Sequence, residues 1–248
     1  MEQNISLQNI TSKDQQHCCN CNLNSLCLAV SLDMTEMSRL DGIVDRSKPL
    51  TKGQHLVSQG DEFHSVYAIR TGSVKTFTTS CSGEEQITGF FFPGDLVGLN
   101  AIDSGYSPDS IKTLETTTVC QVPFDQLDEL SSQLPKLRRQ VLRTMSKEIC
   151  KEQQMLKLLA KKNADERLAT FLIRLSNRFK ARGYSDTRFR LSMSRNEIGN
   201  YLGLTVETVS RVLTRLQKNG LIKVEGKEVE ILQKKQLNTL SNEDREND

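Results

Sequence analysis

The most regular local pattern of this chain is Ser194-Arg195-Asn196-Glu197-Ile198-Gly199-Asn200-Tyr201-Leu202-Gly203-Leu204-Thr205-Val206-Glu207-Thr208-Val209-Ser210-Arg211. Ser194 and Glu197 have the spacing of a capping box, which predicts the start of a short helix. A turn at Gly203 and a second cap at Thr205 predict another helix that continues through Lys218. We interpret the pattern as a helix-turn-helix, with an ordinary pair of antiparallel helices as the alternative.

The second of these helices is expected to have an inner and an outer face. The apolar residues expected inside are Val209, Val212, Leu213 and Leu216. Near the start of its outer face lie Glu207, Ser210 and Arg211. Arginine can bridge O6 and N7 of guanine, glutamate can accept from N4 of cytosine, and serine can contact either a base or a phosphate. We therefore predict that these three residues bind DNA.

Basic residues are concentrated around this motif. The whole chain carries a formal net charge of +2, but residues 161–235 contain 17 Lys and Arg against 8 Asp and Glu. This part therefore carries +9 and the remainder −7. Residues 223–229 predict a hairpin with basic residues near its turn, as in a DNA-binding wing. Such a basic module is expected of a protein that binds the phosphate backbone, although many basic faces are only solvated.

Two further patterns precede this module. Within residues 52–124, short β-rich runs alternate with Gly60, Gly72, Gly83 and Gly94, which predicts an antiparallel sandwich or jelly roll. After Pro135 the period becomes helical, and a stripe with coiled-coil spacing is formed by Leu142, Met145, Ile149, Glu152, Leu156 and Leu159.

We predict a long helix whose stripe forms a dimer interface, with packing on the chain's own β-domain as the alternative. Glu152 would face its symmetry mate, where two like charges cost free energy. We therefore expect a marginal dimer that is easily switched.

A cluster of potential metal ligands lies near the start of the chain, at His17-Cys18-Cys19-Asn20-Cys21-Asn22-Leu23-Asn24-Ser25-Leu26-Cys27. Thiolates this close together repel one another unless a cation neutralises them, which indicates metal binding. A structural disulfide is the alternative, but the odd total of seven cysteines argues against a closed framework. Residues 1–16 are polar with no signal-peptide core, and no run approaches the ~18 apolar residues of a membrane span. We expect a cytoplasmic protein without membrane contact.

Several motifs carry a resemblance to a known family. They are His17-Cys18, Cys21 and Cys27, Glu85-Gln86-Ile87-Thr88-Gly89-Phe90, Gly94-Asp95-Leu96-Val97-Gly98, Val119-Cys120-Gln121-Val122-Pro123-Phe124, and the segment from Ile198 to Arg211. Over about residues 17–235 the chain resembles the CRP/FNR superfamily of bacterial transcription regulators. Within it the chain is similar to the oxygen-sensing branch, that of the fumarate and nitrate reduction regulator (FNR).

The resemblance implies a cofactor and its ligands. In this branch three N-terminal cysteines and one distant cysteine hold an oxygen-labile [4Fe–4S] cluster. The matching positions are Cys18, Cys21, Cys27 and Cys120. Four thiolates satisfy the ligation of such a cluster. Cys19 departs from the family pattern, and Cys81 and Cys150 have no partner at the right spacing.

The resemblance also implies a function. With its cluster intact, a homodimer binds double-stranded DNA at a palindrome like TTGAT-N4-ATCAA. Surfaces that include the turn around Gly83 contact RNA polymerase and activate or repress genes of anaerobic metabolism. Molecular oxygen is the signal: it destroys the cluster, the dimer loosens, and DNA binding falls.

Other classes of function are weighed against this one. The cyclic-nucleotide branch binds its ligand with a Glu and an Arg-Ser pair, but residues 99–110 contain no arginine and no glutamate, so no cyclic nucleotide is expected. A constitutive regulator with a structural zinc site is the alternative function, and zinc would not need Cys120. Its ligands would be His17, Cys18, Cys21 and Cys27. No catalytic motif appears, so we do not expect an enzyme.

The expected fold class is α+β, with an N-terminal antiparallel β jelly-roll sensor domain, a long dimerisation helix and a C-terminal winged helix-turn-helix domain. The expected domains are a cysteine-rich cluster-binding segment at 1–28, the β jelly-roll sensor domain at 29–134, the dimerisation helix at 135–160, the DNA-binding domain at 161–235 and a polar, disordered tail at 236–248.

Overall fold

The structure, a computed structural model, describes residues 17–241. The strands of its N-terminal part are β1 Asp45–Arg46, β2 His55–Val57, β3 Ser65–Thr71, β4 Val74–Thr79, β5 Glu85–Phe91, β6 Leu96–Val97, β7 Ser110–Thr113 and β8 Thr118–Pro123. They form two four-stranded sheets in the orders β1-β8-β3-β6 and β2-β7-β4-β5. All pairs are antiparallel, which confirms the predicted β-domain. Within the described residues, no helix is both long and apolar enough to span a membrane.

Helices flank this β-domain and form most of the C-terminal part. They are α1 Met34–Gly42, α2 Phe124–Gln133, α3 Pro135–Lys161, α4 Ala164–Ala181, α5 Arg195–Leu202, α6 Val206–Lys218 and α7 Lys234–Ser241. The predicted long helix is α3, which spans 27 residues. Leu137 near its start is buried in a core with α1 and α2. Leu158 near its end is buried in a core with α4.

The strands of the C-terminal part are β9 Arg188–Arg190, β10 Ile222–Glu225 and β11 Glu228–Ile231. They form an antiparallel sheet in the order β10-β11-β9. The β10–β11 hairpin is the predicted wing, and α5 with α6 is the predicted helix-turn-helix. The fold class derived from the sequence is therefore correct.

Local signals explain why α5 and α6 form where they do. The Ser194 hydroxyl accepts from the N–H of Glu197, and the Glu197 carboxylate accepts from the N–H of Ser194. Thr205 accepts from the N–H three residues later at 3.2 Å. A Cβ on Gly199 would lie 2.6 Å from the Leu204 carbonyl oxygen, so only glycine allows this approach of the turn to α5.

The predicted disordered tail begins too early. Residues 234–241 form α7, and the side chain of Leu237 is fully buried. Lys162 donates to the Ser241 carbonyl oxygen at 2.7 Å, which ties the end of α7 to the start of the C-terminal domain. The polar composition misled the prediction because one buried leucine and the contacts with α4 order this helix. Residues 242–248 lie outside the described part of the chain.

Aromatic side chains join the β-domain to the C-terminal domain. Phe90 in β5 contacts Phe171 of α4 and Tyr201 of α5, with ring centroids 6.2 and 5.1 Å apart. Phe92 packs on Phe179 of α4, with centroids 5.8 Å apart. These residues belong to one continuous hydrophobic cluster, so the two domains share part of their core.

Candidate metal centre and nucleic-acid interface

The predicted DNA-reading residues lie on an open face of α6. Glu207 and Arg211 are exposed, and Ser210 is half-buried. Hydrogen bonds from its own backbone N–H and from Thr205 hold the pKa of the Glu207 carboxyl below its usual value, so this side chain is an anionic acceptor at neutral pH. The Arg211 guanidinium donates to Thr208 at 3.1 Å and keeps further N–H donors for a ligand.

Other basic residues near α6 have local partners. Arg195 at the start of α5 donates to the Ser210 hydroxyl at 3.3 Å, a contact that the sequence did not reveal. Arg215 pairs with Asp165 of α4. In the wing, Lys227 donates to the Ser192 carbonyl oxygen at 2.7 Å and supports the base of the hairpin. Some of the basic residues of this domain therefore stabilise the fold through contacts within the chain.

Helix α5, the first helix of the helix-turn-helix, is attached to an edge strand of the β-domain. The strand β5 is the last in its sheet, and an edge strand has unpaired backbone groups. Asn200 of α5 donates from its amide to the Glu85 carbonyl oxygen at 2.7 Å. The N–H of Ile87 donates to the amide oxygen of Asn200 at 2.6 Å. The side chain of Asn200 thus replaces a short piece of neighbouring strand.

Charged groups reinforce this attachment. Lys75 of β4 pairs with Glu197 of α5 at 3.4 Å. Asp95, after β5, pairs with both Arg178 of α4 and Arg182 just after that helix. Burial alone raises the pKa of Asp95, but these two guanidinium groups outweigh burial and hold the pKa below its usual value. Asp95 is therefore ionised, and the α4 pairing persists at neutral pH.

The four predicted metal ligands come from two parts of the chain. Cys18 begins a 3-10 turn, Cys21 and Cys27 follow in irregular turns, and Cys120 lies in β8. All four are half-buried. The short strand β1 pairs with β8 so that Arg46 stands opposite Cys120, which connects the N-terminal segment to the distant cysteine.

The four thiols form one electrostatic group. Burial, then a hydrogen bond to Asp41, raises the pKa of Cys18 to about 12. Burial raises the pKa of Cys27 to about 11, and Cys120 and Cys21 contribute to the rise. Burial and the charge of Cys21 also raise the pKa of Cys120. Burial therefore favours the protonated thiols of Cys18, Cys27 and Cys120 at neutral pH, whereas a bound cation would favour their thiolates.

Polar contacts surround Cys18. The carboxylate of Asp41 accepts from the backbone N–H of Cys18 at 2.8 Å and from the ring of His17 at 2.6 Å, and it pairs with Arg46. The Arg46 guanidinium also lies 3.9 Å from the Cys18 sulfur. Its Nε is buried without a hydrogen-bond partner among the described residues. An unused buried N–H beside soft sulfur donors fits an anionic metal–thiolate group.

These ligands are near one another without completing a coordination site. Among residues 17–241, no three His, Cys, Asp or Glu side chains are arranged closely enough to hold a metal ion. The structure therefore does not bring Cys18, Cys21, Cys27 and Cys120 into a coordination site, and their role as metal ligands stays a prediction.

The predicted dimer stripe divides into three environments. Leu142, Ile149 and Leu156 are 57 %, 58 % and 68 % exposed, at intervals of one heptad. Met145 is half-buried and lines a cavity beside the β-domain. Leu159 is half-buried in the C-terminal core. The exposed leucines and isoleucine form an apolar row that the single chain leaves uncovered.

The cavity beside Met145 is acidic. It has a volume of about 420 Å³ and lies between α3 and the β-domain. Its described lining includes Asp109, Glu148 and Glu152 but no lysine or arginine. Burial raises the pKa of Asp109. Burial, then the charges of Glu148 and Asp109, raises the pKa of Glu152, so the predicted interface carboxylate also faces carboxylates of its own chain.

Comparisons with known proteins agree on one family. A family model for the Crp-like helix-turn-helix domain matches residues 166–240, and one for the cyclic nucleotide-binding domain matches residues 47–133. The transcriptional activator protein Anr of Pseudomonas protegens is 60% identical over 232 residues, 94% of this chain and 95% of that protein. The fumarate and nitrate reduction regulatory protein of Escherichia coli is 52% identical over 215 residues, 87% of this chain and 86% of that protein.

One solved structure is similar to most of this chain. The structure of FixK2 from Bradyrhizobium japonicum has a TM-score of 0.73 and 28% sequence identity, and the match covers 80% of this chain and 97% of that one.

The attachment of α5 to β5 predicts a measurable loss of stability. Asn200→Ala leaves the Ile87 N–H unpaired, and we expect the free energy of unfolding to fall by about 1–3 kcal/mol. Urea denaturation measures the change. Asn196→Ala, at an exposed position of the same helix, is the control and should change the free energy by less than ~0.5 kcal/mol. Equal effects of the two substitutions would contradict the role of Asn200.

Proposed function

The chain belongs to the CRP/FNR superfamily of DNA-binding transcription regulators, which are not enzymes, and we propose that it is an oxygen-responsive member of that family. In this proposal it binds DNA as a homodimer while a [4Fe–4S] cluster is intact, and it loses DNA binding when oxygen destroys the cluster. The names of its relatives, a transcriptional activator and a regulator of fumarate and nitrate reduction, support a role in controlling genes of anaerobic metabolism.

The observation that carries this proposal is the set of four half-buried cysteines, Cys18, Cys21, Cys27 and Cys120, of which Cys27 and Cys120 pack against the same core. The zinc alternative would not need Cys120, whereas a cubane cluster uses four thiolates. His17 would be a ligand in that alternative, and the contact of its ring with the Asp41 carboxylate is compatible with either function. When bound, the cluster would supply oxygen sensitivity.

Packing contacts between the cysteines and α3 support the proposed effect of the cluster on dimerisation. Cys27 and Cys120 pack against the core that contains Leu137 and Val141 of α3. The exposed row begins at the next residue, Leu142. Loss of the cluster would loosen this core at the base of the helix, and a second copy of α3 would then pack less tightly on the row. We propose that this packing is the dimer contact.

The proposed DNA complex follows from the geometry of a helix-turn-helix dimer. Two α6 helices would enter successive major grooves about 34–36 Å apart, at a palindrome like TTGAT-N4-ATCAA. The turn around Gly83 is proposed to contact RNA polymerase. A cyclic nucleotide is not part of the proposal, because its phosphate would meet the carboxylates of the cavity beside Met145 without a basic side chain to bind it.

The first test concerns the metal. We expect Cys→Ser at positions 18, 21, 27 or 120 to abolish the anaerobic cluster, because serine oxygen is a poor substitute for thiolate on iron. Iron, sulfide and zinc are measured in protein purified without oxygen. Cys19→Ser, Cys81→Ser and Cys150→Ser are the matched controls and should retain the cluster. Stoichiometric zinc without sulfide in the unmodified protein would refute the proposal.

The second test concerns the dimer. Ile149→Ala should weaken association by about 2–5 kcal/mol, because it removes a side chain that a partner helix would bury. Glu152→Ala should strengthen association by about 1–3 kcal/mol and permit DNA binding in air, because it removes like-charge repulsion. Sedimentation with and without oxygen measures both changes. Lys157→Ala, an exposed site outside the row, is the control; an effect of Ile149→Ala no larger than this control would rule out the proposed interface.

The third test concerns base recognition. Arg211→Ala should cost about 1–3 kcal/mol per half-site and relax the preference for the guanine that it contacts. Lys223→Ala in the wing should instead weaken all sequences alike and reduce the salt dependence, because a lysine there would contact phosphate. Titration of single-base variants of the palindrome at several salt concentrations separates the two effects. A uniform loss of affinity for Arg211→Ala would contradict its reading role.

A further inference from the structure

Arg46 is the one charged side chain beside the cysteines that has both an acidic anchor and an unused donor in the described part of the chain. Its side chain is 10 % exposed and pairs with Asp41. One terminal nitrogen lies 3.9 Å from the Cys18 sulfur. The Nε nitrogen is buried and has no hydrogen-bond partner among residues 17–241. A buried N–H without a partner is rare in folded proteins, and it marks a position where an acceptor is expected.

The backbone directs this side chain to the two parts of the candidate centre. Arg46 lies in β1, opposite Cys120 of β8. Asp41, near the end of α1, accepts from the Cys18 backbone and holds the Arg46 guanidinium at the same time. Arg46 is therefore placed between the N-terminal ligands and the distant one.

We infer that Arg46 is a positioning residue of the metal–sulfur centre, whose guanidinium donates N–H groups to the sulfur atoms and offsets their negative charge. This inference rests on the proposed cluster. Asp41 keeps the guanidinium in place, because the pair leaves Nε free to donate elsewhere. A lysine would supply the charge but not the fixed, planar set of donors.

The expected consequence is tighter retention of the cluster. Hydrogen bonds to ligand and cluster sulfur atoms stabilise the bound group and raise its reduction potential, and loss of such outer contacts lowers metal affinity about 10- to 100-fold. Neither effect requires Arg46 to be a metal ligand. A residue that only supported the fold would change the stability of the apoprotein and leave the reduction potential unchanged.

The experiment compares the full-length protein with Arg46→Gln and Arg46→Lys, and uses Arg138→Gln, an exposed site on α3, as the control. Each protein is reconstituted without oxygen from ferrous iron and sulfide and then titrated with EDTA. For Arg46→Gln we expect the EDTA concentration that removes half of the iron to fall about 10- to 100-fold. Arg46→Lys should show a smaller fall, and Arg138→Gln none. The reduction potential of both Arg46 variants should become more negative.

The outcomes separate this inference from the proposed function. Wild-type protein that takes up zinc, or iron without sulfide, refutes the function. Wild-type protein that holds the cluster no more tightly than Arg46→Gln refutes only the inference. Thermal unfolding of the apoproteins shows whether Arg46→Gln folds. If Arg46→Gln does not fold, Arg46→Lys decides, because this variant keeps a cation beside Asp41. An Arg46→Lys protein that retains iron against EDTA as the wild type does, with an unchanged reduction potential, would overturn the inference.

Discussion

The rest of the structure depends on how α3 is fixed. Its start is buried through Leu137 in the core that includes two of the candidate cysteine ligands, and its end is buried through Leu158 in the core of the DNA-binding domain. Between these anchors, Leu142, Ile149 and Leu156 face solvent. Burial of apolar surface is the main favourable term in association, so a helix held at both ends and uncovered between them is well suited to pair with a second copy.

The orientation of the DNA-binding domain depends on contacts of a different kind. The aromatic cluster around Phe90 supplies non-directional burial, which alone would tolerate some rotation between the domains. The hydrogen bonds of Asn200 with the edge of β5 and the pairing of Asp95 with α4 are directional and remove that freedom. These contacts connect β5 to α5, and the close approach at Gly199 connects α5 to the start of α6.

The candidate metal centre combines two opposing electrostatic effects. Burial favours the neutral thiols of Cys18 and Cys27, because isolated thiolates are poorly solvated at these positions. A bound cation reverses this preference, and the Arg46 guanidinium favours the resulting negative charge. In the proposed centre, metal binding would be linked to the packing of the N-terminal segment, since the same residues would take part in both.

The elements that could be predicted from the sequence are those with a local cause. Capping at Ser194 and Thr205, the glycine turns of the β-domain and the heptad row of α3 depend on neighbours a few residues away, and each was predictable because such interactions have a fixed spacing. The position of Cys120 opposite Arg46, the attachment of Asn200 to β5 and the acidic cavity around Asp109 join residues far apart in the chain. Two further features also depend on residues far apart in the chain. Leu237 is buried in α7, where a disordered tail was expected, and Leu159 packs into the C-terminal core rather than lying in the exposed row. Only the tertiary structure decided these features, because a side chain's burial and partners depend on which distant surface packs against it, and no spacing along the chain records that choice.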